Sequence, residues 1–288
     1  MTPLYKINLH GSNPLVGPGQ VWAKLENRNP TGSHKDRSMK PWVLHYAKSG
    51  VKELAISSSG NSAISAAKYC GGMGIKLNVF MSPHADTQKI ELLKSNKDII
   101  FDITKTPNKD AFRFCKKNNI INLRASRDDN ALIGYEEIAR ELKEQLPNID
   151  NIFIPTSSGA TLEGIYQGFA KKGVKSPALY AIQTTKVHPI ASYFDKNFTK
   201  ESTSRATAIV DSIARRRDGV IKIIKETRGG GFVISNKELE EARQILKRNN
   251  PDLRVKWHSI LSFAGFLKWQ ITCSNKLNDA ITACLFTD

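Results

Sequence analysis

The chain has 288 residues, 40% of them hydrophobic and 24% charged, and a formal net charge of +16. That length holds one large domain or two modest ones with ample core, and the balance excludes a disordered chain. No apolar run approaches the roughly 20 residues that span a bilayer; the opening Met1-Thr2-Pro3-Leu4-Tyr5-Lys6-Ile7-Asn8 lacks the basic and apolar regions of a secretory signal, so a soluble, cytoplasmic protein without a membrane partner is expected.

In chain order, residues 21–26 read as a strand and 54–57 as another, followed by a helix over 62–72. Strands over 77–81 and 99–103 alternate with helices over 87–95 and 109–118. The stretch 131–145 sets Ile133, Ile138, Leu142 and Leu146 on one face of a helix. A buried strand over 151–154 leads through a Ser/Gly turn into a helix over 161–170, and 179–183 is the next strand. The strand 232–235 ends at Ser235, with Glu238 three residues on, a capping box opening a helix to 247. A helix over 259–272 and a strand over 280–286 close the pattern. Strands alternating with helices predict an α/β protein with a parallel sheet covered on both faces. Residues 39–125 form a compact α/β block between two parts of a larger one, 1–38 and 126–288.

Cys70, Cys115, Cys273 and Cys284 are widely spaced and form no Cys-x-x-Cys pair, so reduced, buried thiols are expected rather than disulfides or a metal site. The basic runs Lys116-Lys117, Lys171-Lys172 and Arg215-Arg216-Arg217 are flanked by helix-like pattern and read as solvated faces. Without zinc-finger spacing, an aromatic ribonucleoprotein motif or basic-leucine heptads, no nucleic-acid partner is expected.

Three segments place small and hydroxylated residues in a turn between a strand and a helix. Such turns lie at the carboxyl ends of strands, where α/β sheets bind ligands, and a helix beginning there offers free N–H groups to an anion. Ser57-Ser58-Ser59-Gly60-Asn61-Ser62 suits a carboxylate, and Pro155-Thr156-Ser157-Ser158-Gly159-Ala160-Thr161 suits a phosphate. The third, Asn29-Pro30-Thr31-Gly32-Ser33-His34-Lys35-Asp36-Arg37, carries a lysine. Taken singly, the first two also read as helix capping and Lys35 as a surface lysine.

Their joint order resembles the pyridoxal 5′-phosphate (PLP) dependent family of tryptophan synthase β-subunit-like enzymes, which includes threonine synthase, cysteine synthase and serine or threonine dehydratase. Thr2-Pro3-Leu4 with Trp22-Ala23-Lys24-Leu25-Glu26-Asn27 is similar to the family's opening, and residues 29–37 to its lysine motif. Asp211-Ser212-Ile213-Ala214-Arg215-Arg216-Arg217-Asp218-Gly219 and Val233-Ile234-Ser235-Asn236-Lys237-Glu238 resemble segments of threonine synthases and dehydratases. The resemblance runs across nearly the whole chain. It implies two doubly wound α/β domains with the PLP site in the cleft between them, a large PLP-binding one and a small substrate-closing one, and commonly a homodimer.

Carried over residue by residue, Lys35 would hold PLP as a Schiff base and shuttle protons at the substrate carbons, with His34 beside it. Ser58, Ser59, Gly60, Asn61 and Ser62 would bind the carboxylate of a small amino-acid substrate, Asn61 also reaching the cofactor's phenolic oxygen. Ser157, Ser158, Gly159, Ala160 and Thr161 would cradle the phosphate. The ring nitrogen has two candidate partners, Ser259 in one branch of the family and Thr287 in the other. A hydroxyl there favours β-elimination over transamination.

Ser157 and Ala160 stand where the family's phosphate loop has glycines, which predicts a less free turn, and Lys256-Trp257-His258-Ser259-Ile260 replaces another family segment. The expected activity is elimination or replacement at the β- or γ-carbon of a small amino acid, nearest to threonine synthase. Cysteine synthase-type β-replacement, serine/threonine ammonia-lyase activity and a degenerate PLP-binding protein are the alternatives.

Overall fold

The computed structural model describes residues 1–9, 20–58, 60–83, 87–94, 99–171, 173, 175–272 and 280–288. Of the candidates above, Ser59, Cys273, Lys172 and Ser95 (the last residue of the helix expected over 87–95) lie outside the described residues. Contacts divide the chain into two units, Met1–Arg28 with Glu136–Asp288, and Asn29–Tyr135.

Numbered in chain order, the larger unit contains β1 (Leu4–Lys6), β2 (Gln20–Leu25), α5 (Glu136–Gln145), β7 (Asn151–Pro155), α6 (Ala160–Ala170), β8 (Ala178–Thr184), α7 (Arg217–Glu226), β9 (Gly230–Ile234), α8 (Asn236–Asn249), α9 (Trp257–Thr272) and β10 (Ile281–Phe286). Its six-stranded sheet runs β1-β2-β10-β7-β8-β9, with only β1 antiparallel to its neighbour. Helix α9 packs against β7, β8, β9 and β10, and α8 against α9; α5 packs on α6, and α7 on α6 and β8. Phe153 stacks on Tyr180 at 4.5 Å, and Phe266 and Trp269 meet Phe153 edge-on, an aromatic centre for the sheet's α9 side. The capping box forms as expected: Ser235 accepts from the Glu238 N–H, and Glu238 accepts from the Ser235 N–H.

Thr2, Lys24 and Glu26 of the opening segment are buried and hydrogen-bonded. Lys24 Nζ donates to the Thr2 carbonyl at 2.7 Å, to Glu141 Oε2 at 2.5 Å and to Gln145 at 2.8 Å. The Thr2 hydroxyl donates to Glu26 at 2.6 Å, and its N–H to Glu141 at 3.0 Å. This network ties the first residues and β2 to α5.

The smaller unit contains α1 (Lys35–Lys48), β3 (Glu53–Ser57), α2 (Asn61–Gly71), β4 (Lys76–Met81), α3 (Thr87–Lys94), β5 (Ile99–Ile103), α4 (Pro107–Asn118) and β6 (Ile121–Asn122). Its four strands, β5-β4-β3-β6, are all parallel. Helix α1 packs on α2, and its Trp42 and Tyr46 donate to Asp128 at 2.7 and 2.6 Å. This unit spans Asn29–Tyr135, where the sequence reading gave a block over 39–125, and within it α1 packs on α2 and on the 3-10 turns before residue 136.

The helix expected from 131 begins instead at Glu136, after 3-10 turns over Asp129–Ala131 and Ile133–Tyr135. Ile133, placed on the core face by periodicity, is 48% exposed. The cause is Gly134, where a Cβ would stand 1.6 Å from the Arg37 carbonyl oxygen. The chain passes too close to α1 there to wind as a regular helix.

Candidate active site

In the larger unit, β2, β7 and β10 are parallel, with Phe286 in register with Leu25 and Cys284 with Phe153. Their carboxyl ends therefore share one edge, which carries Asn27, the residues 157–161 and Thr287. The expected anion-binding turn opens α6 at Gly159, with φ +94°, and Gly159 brings no side chain to cap it. The Ser158 hydroxyl accepts the Ala160 N–H at 3.5 Å, and N–H groups at a helix start suit an anion. Glu163, the acid of that first turn, is paired with Arg216 at 2.9 Å, which offsets the charge that would repel a phosphate. Ala160 and Thr161 are buried, and Ser157 and Ser158 half-buried.

The Ser157 hydroxyl accepts from the N–H groups of Val210 and Asp211, both at 3.2 Å. Asp211 Oδ1 in turn accepts from Ile213 and Ala214, and Arg216 Cβ and Val220 lie against Gly159. The segment 210–217 is thus braced on the phosphate-type turn. Periodicity and motif reading did not foresee this contact, which has no local signal.

The two ring-nitrogen candidates both stand near the carboxyl end of β10. Ser259, wholly buried, donates its hydroxyl proton to Asp288 Oδ1 at 2.5 Å, and its N–H goes to the same oxygen at 3.2 Å. Asp288 Oδ2 accepts from the Lys256 N–H at 3.0 Å and from Asn27 at 3.2 Å. Asp288 therefore closes the amino end of α9, where a carboxylate also meets the helix dipole favourably. The sequence reading gave Asp288 no part. Thr287, 3% exposed, stands directly after β10.

In the smaller unit, β3 ends at Ser57 and α2 begins at Asn61 after Gly60, again with no side-chain cap. The Ser58 hydroxyl accepts the Gly60 N–H at 3.2 Å, shaping the turn. Ser58, Gly60, Asn61 and Ser62 are all half-buried, so the turn is reachable. A Cβ at Gly60 would meet nothing within 4 Å, which leaves open space over the backbone.

Lys35 opens α1 behind His34, and Gly32 turns the preceding loop with φ +80°. Lys35 is half-buried, and its Nζ lies 6.0 Å from the centre of the buried Tyr135 ring, on which His34 also stacks at 5.8 Å. Asp36 accepts from the Thr31 N–H and hydroxyl and from the Ser65 hydroxyl. Burial and the negative charge of Asp36 push the Tyr69 phenol up to about 12. Tyr135 and Asp36 were missed as supporting residues; Asp36 lay inside the motif, whereas Tyr135 was hidden in the helical pattern.

Taken unit by unit, the chemistry suits an aldehyde-bearing pyridine phosphate: the smaller unit offers an amine at Lys35, and the larger a helix start at Gly159 and a buried hydroxyl at Thr287. Among the described residues no group of three or more His, Cys, Asp or Glu side chains could hold a metal ion, and no described helix is long and apolar enough to cross a membrane. A cavity of about 1100 Å³ in the larger unit lies at the opposite edge of the sheet, lined by Asn151, Ala178 and Gly230 at the amino ends of their strands. It is large, but it lies away from the carboxyl ends where α/β sheets bind their ligands.

The family model described as "Pyridoxal-phosphate dependent enzyme" matches residues 1–288. A threonine synthase of Methanocaldococcus jannaschii is 26% identical over 93% of this chain and 69% of its own length. The human L-serine dehydratase/L-threonine deaminase is 28% identical over 58% of this chain and 53% of its own. The solved structure of maize serine racemase superposes with a TM-score of 0.80 at 17% identity, covering 99% of this chain and 87% of that one.

Proposed function

The chain belongs to the pyridoxal-phosphate dependent enzyme family, and from that we propose that it removes or replaces a group at the β- or γ-carbon of a small amino acid, as a threonine synthase does. PLP is its cofactor, and the chemistry the cofactor supplies when bound is an electron sink for the substrate's α-carbon. The observation that carries the reading is the lysine at the first turn of α1, in one unit with a half-buried, uncapped serine turn.

In this reading Lys35 holds the cofactor covalently and moves protons at the substrate's α- and β-carbons, while His34 and Tyr135 fix its direction. Ser58, Ser59, Gly60, Asn61 and Ser62 hold the substrate carboxylate through N–H and hydroxyl groups, and Asn61 also reaches the cofactor's phenolic oxygen. The start of α6, with Ser157, Ser158, Gly159, Ala160 and Thr161, holds the phosphate. Thr287, directly after β10, meets the ring nitrogen as the threonine-synthase branch of the family would have it, with Ser259, whose hydroxyl donates to Asp288, as the alternative. The larger unit supplies the phosphate and ring-nitrogen contacts, and the smaller the cofactor lysine and the substrate turn. The enzyme is a cytoplasmic homodimer and takes a small-molecule substrate rather than a nucleic acid.

The M. jannaschii relative favours threonine synthase among the possible reactions, since it matches 93% of the chain. A dehydratase reading rests on the shorter human match. O-phosphohomoserine, O-acetylserine, O-phosphoserine, serine and threonine should be offered in turn, with product and cofactor absorbance followed. Turnover of O-phosphohomoserine to threonine is expected. Turnover of serine or threonine alone would give the dehydratase reading, O-acetylserine the cysteine synthase one, and no response to any would mean a PLP-binding protein without this activity. Borohydride should fix the cofactor on Lys35, and Lys35→Ala should abolish the adduct; persistent labelling elsewhere would refute the lysine assignment.

A further inference from the structure

Asp36 stands beside the proposed cofactor lysine, and its carboxylate joins two segments of the smaller unit. It is 3% exposed and lies in the first turn of α1. Oδ2 accepts the Thr31 N–H at 2.6 Å, while Oδ1 accepts the Thr31 hydroxyl at 2.7 Å and the Ser65 hydroxyl at 2.6 Å. Thr31 belongs to the loop that delivers Lys35. Ser65 is wholly buried on α2, one turn beyond Asn61, where the substrate-type turn enters its helix. One carboxylate therefore grips both the lysine loop and the helix that carries the serine turn.

The chemistry suits the task. An ionised carboxylate is acceptor-only, and the groups facing it are a backbone N–H and two hydroxyls, all able to donate. Bonds to an ionised acceptor are shorter and stronger than neutral ones, and the position at a helix start adds the favourable end of the dipole. Nothing in the packing alone requires a charge here: α1 and α2 are joined by the apolar cluster that includes Met39, Val43, Ala63, Ala66 and Ala67.

We propose that Asp36 is a positioning residue, the joint that fixes the lysine loop and the substrate turn in one frame, so that the Lys35 amine stands at a set distance from the bound carboxylate of the amino acid. This rests on the assignment of Lys35 and residues 58–62 given above. Displacement of a reacting group by about 1 Å costs on the order of a hundred-fold in rate, so a loose joint is felt even when the lysine itself is intact.

The joint has two arms, which can be cut separately. Ser65→Ala removes the α2 arm and leaves the lysine loop held; Thr31→Val removes one bond of the loop arm and leaves α2 held. Asp36→Ala removes both, and Asp36→Asn keeps the shape, since its amide can turn its NH2 towards the two hydroxyls and its oxygen towards the Thr31 N–H. The PLP-loaded proteins are compared by borohydride labelling, with the modified peptide identified by mass, and by the change in cofactor absorbance on titration with O-phosphohomoserine. Melting curves check that each variant is folded.

Ser65→Ala should weaken the response to O-phosphohomoserine by about ten-fold with labelling of Lys35 unchanged, whereas Thr31→Val should slow the labelling with a smaller effect on the titration. Asp36→Ala should show both defects, and Asp36→Asn should recover most of each. Should Asp36→Ala fail to fold, the two single-arm variants decide the matter alone. Labelling and titration that match the wild type in both Ser65→Ala and Thr31→Val overturn the joint while leaving Lys35 as the cofactor lysine. Asp36→Asn as impaired as Asp36→Ala also overturns it, because the hydrogen-bonded frame would then not be what matters. Wild-type labelling on a lysine other than Lys35 removes the premise and the joint together.

Discussion

Gly159→Ala tests whether the start of α6 is built as the phosphate reading needs. Gly159 has φ +94° and ψ −12°, a region costing a residue with a Cβ about 1–2 kcal/mol. The new methyl would also stand 2.7 Å from Val220 Cγ2, with Ile190 Cδ1 and Arg216 Cβ just beyond. Val220 is wholly buried, so its methyl has little room to turn away, and overpacking of this kind costs about 1–3 kcal/mol. The two contributions give a destabilisation of about 2–5 kcal/mol, towards the lower end where neighbours relax together. Urea unfolding of the cofactor-free protein, followed by circular dichroism, measures it. Val220→Ala in the same background should relieve the steric part and leave the backbone part, so the double variant should be more stable than the sum of the singles by about 1–3 kcal/mol. The same strain falls on the first turn of α6, and PLP affinity should drop with it. A Gly159→Ala protein within about 0.5 kcal/mol of wild type, the range of a neutral surface change, or one showing no coupling to Val220, would refute this account of the turn.

Thr287→Ala should shift the cofactor's absorbance and weaken PLP binding, whereas Ser259→Ala should leave the spectrum unchanged and cost about 1–3 kcal/mol of stability through the abandoned Asp288 carboxylate; the reverse pattern would make Ser259 the ring partner. Lys24→Met takes the cation from Glu141, and both side chains are essentially inaccessible. Urea midpoints should register a loss of about 3–5 kcal/mol, most of it recovered when Glu141 is also made apolar, and a loss below about 1 kcal/mol would contradict the network. Burial pushes the Cys70 thiol up to about 12, Cys115 up to about 11, and Cys284 well above its ordinary value. At pH 8 these groups carry almost no thiolate, so a disulfide reagent should leave all three unmodified until urea is added; rapid reaction of any of them in the folded protein would show that its burial is wrong.

What was legible in the sequence was what short-range physics decides. The capping box at Ser235 and Glu238 needs only residues three apart, and the strand-to-helix turns after β3 and β7 need only a hydroxyl-rich break between two periodic runs. Helix α1 was implied by the turn that carries Lys35, but its extent was not read. Pro41 stands inside it, and proline removes the N–H that would reach back four residues to the Arg37 carbonyl. That same carbonyl is where Gly134 makes its close approach, with Pro41 Cγ at 2.9 Å from the missing Cβ. One long-range contact therefore explains two local failures. The gap that proline leaves in α1 is the place where the later chain passes, and the passing chain cannot begin its own helix until Glu136. Neither event is visible in a window of neighbouring residues.

The phosphate turn shows the opposite error, a local rule applied too widely. Ser157 and Ala160 were expected to restrict a loop that carries more glycine in similar proteins. Of the residues 157–161, only Gly159 has a positive φ, so a side chain at the other positions meets no backbone penalty. The serine adds something a glycine would lack, an acceptor for the Val210 and Asp211 N–H groups. Those two residues lead into the Asp211–Ala214 turn, where Ala214 itself is held at φ +40°, a conformation unfavourable for alanine. The bonds from Ser157 and Asp211 together hold that strained turn in place. The segment it leads into, with Arg216 on Glu163 and Val220 on Gly159, returns to the start of α6. The substitution that looked like a loss of freedom in the turn proposed for the phosphate is the anchor of the segment packed against it.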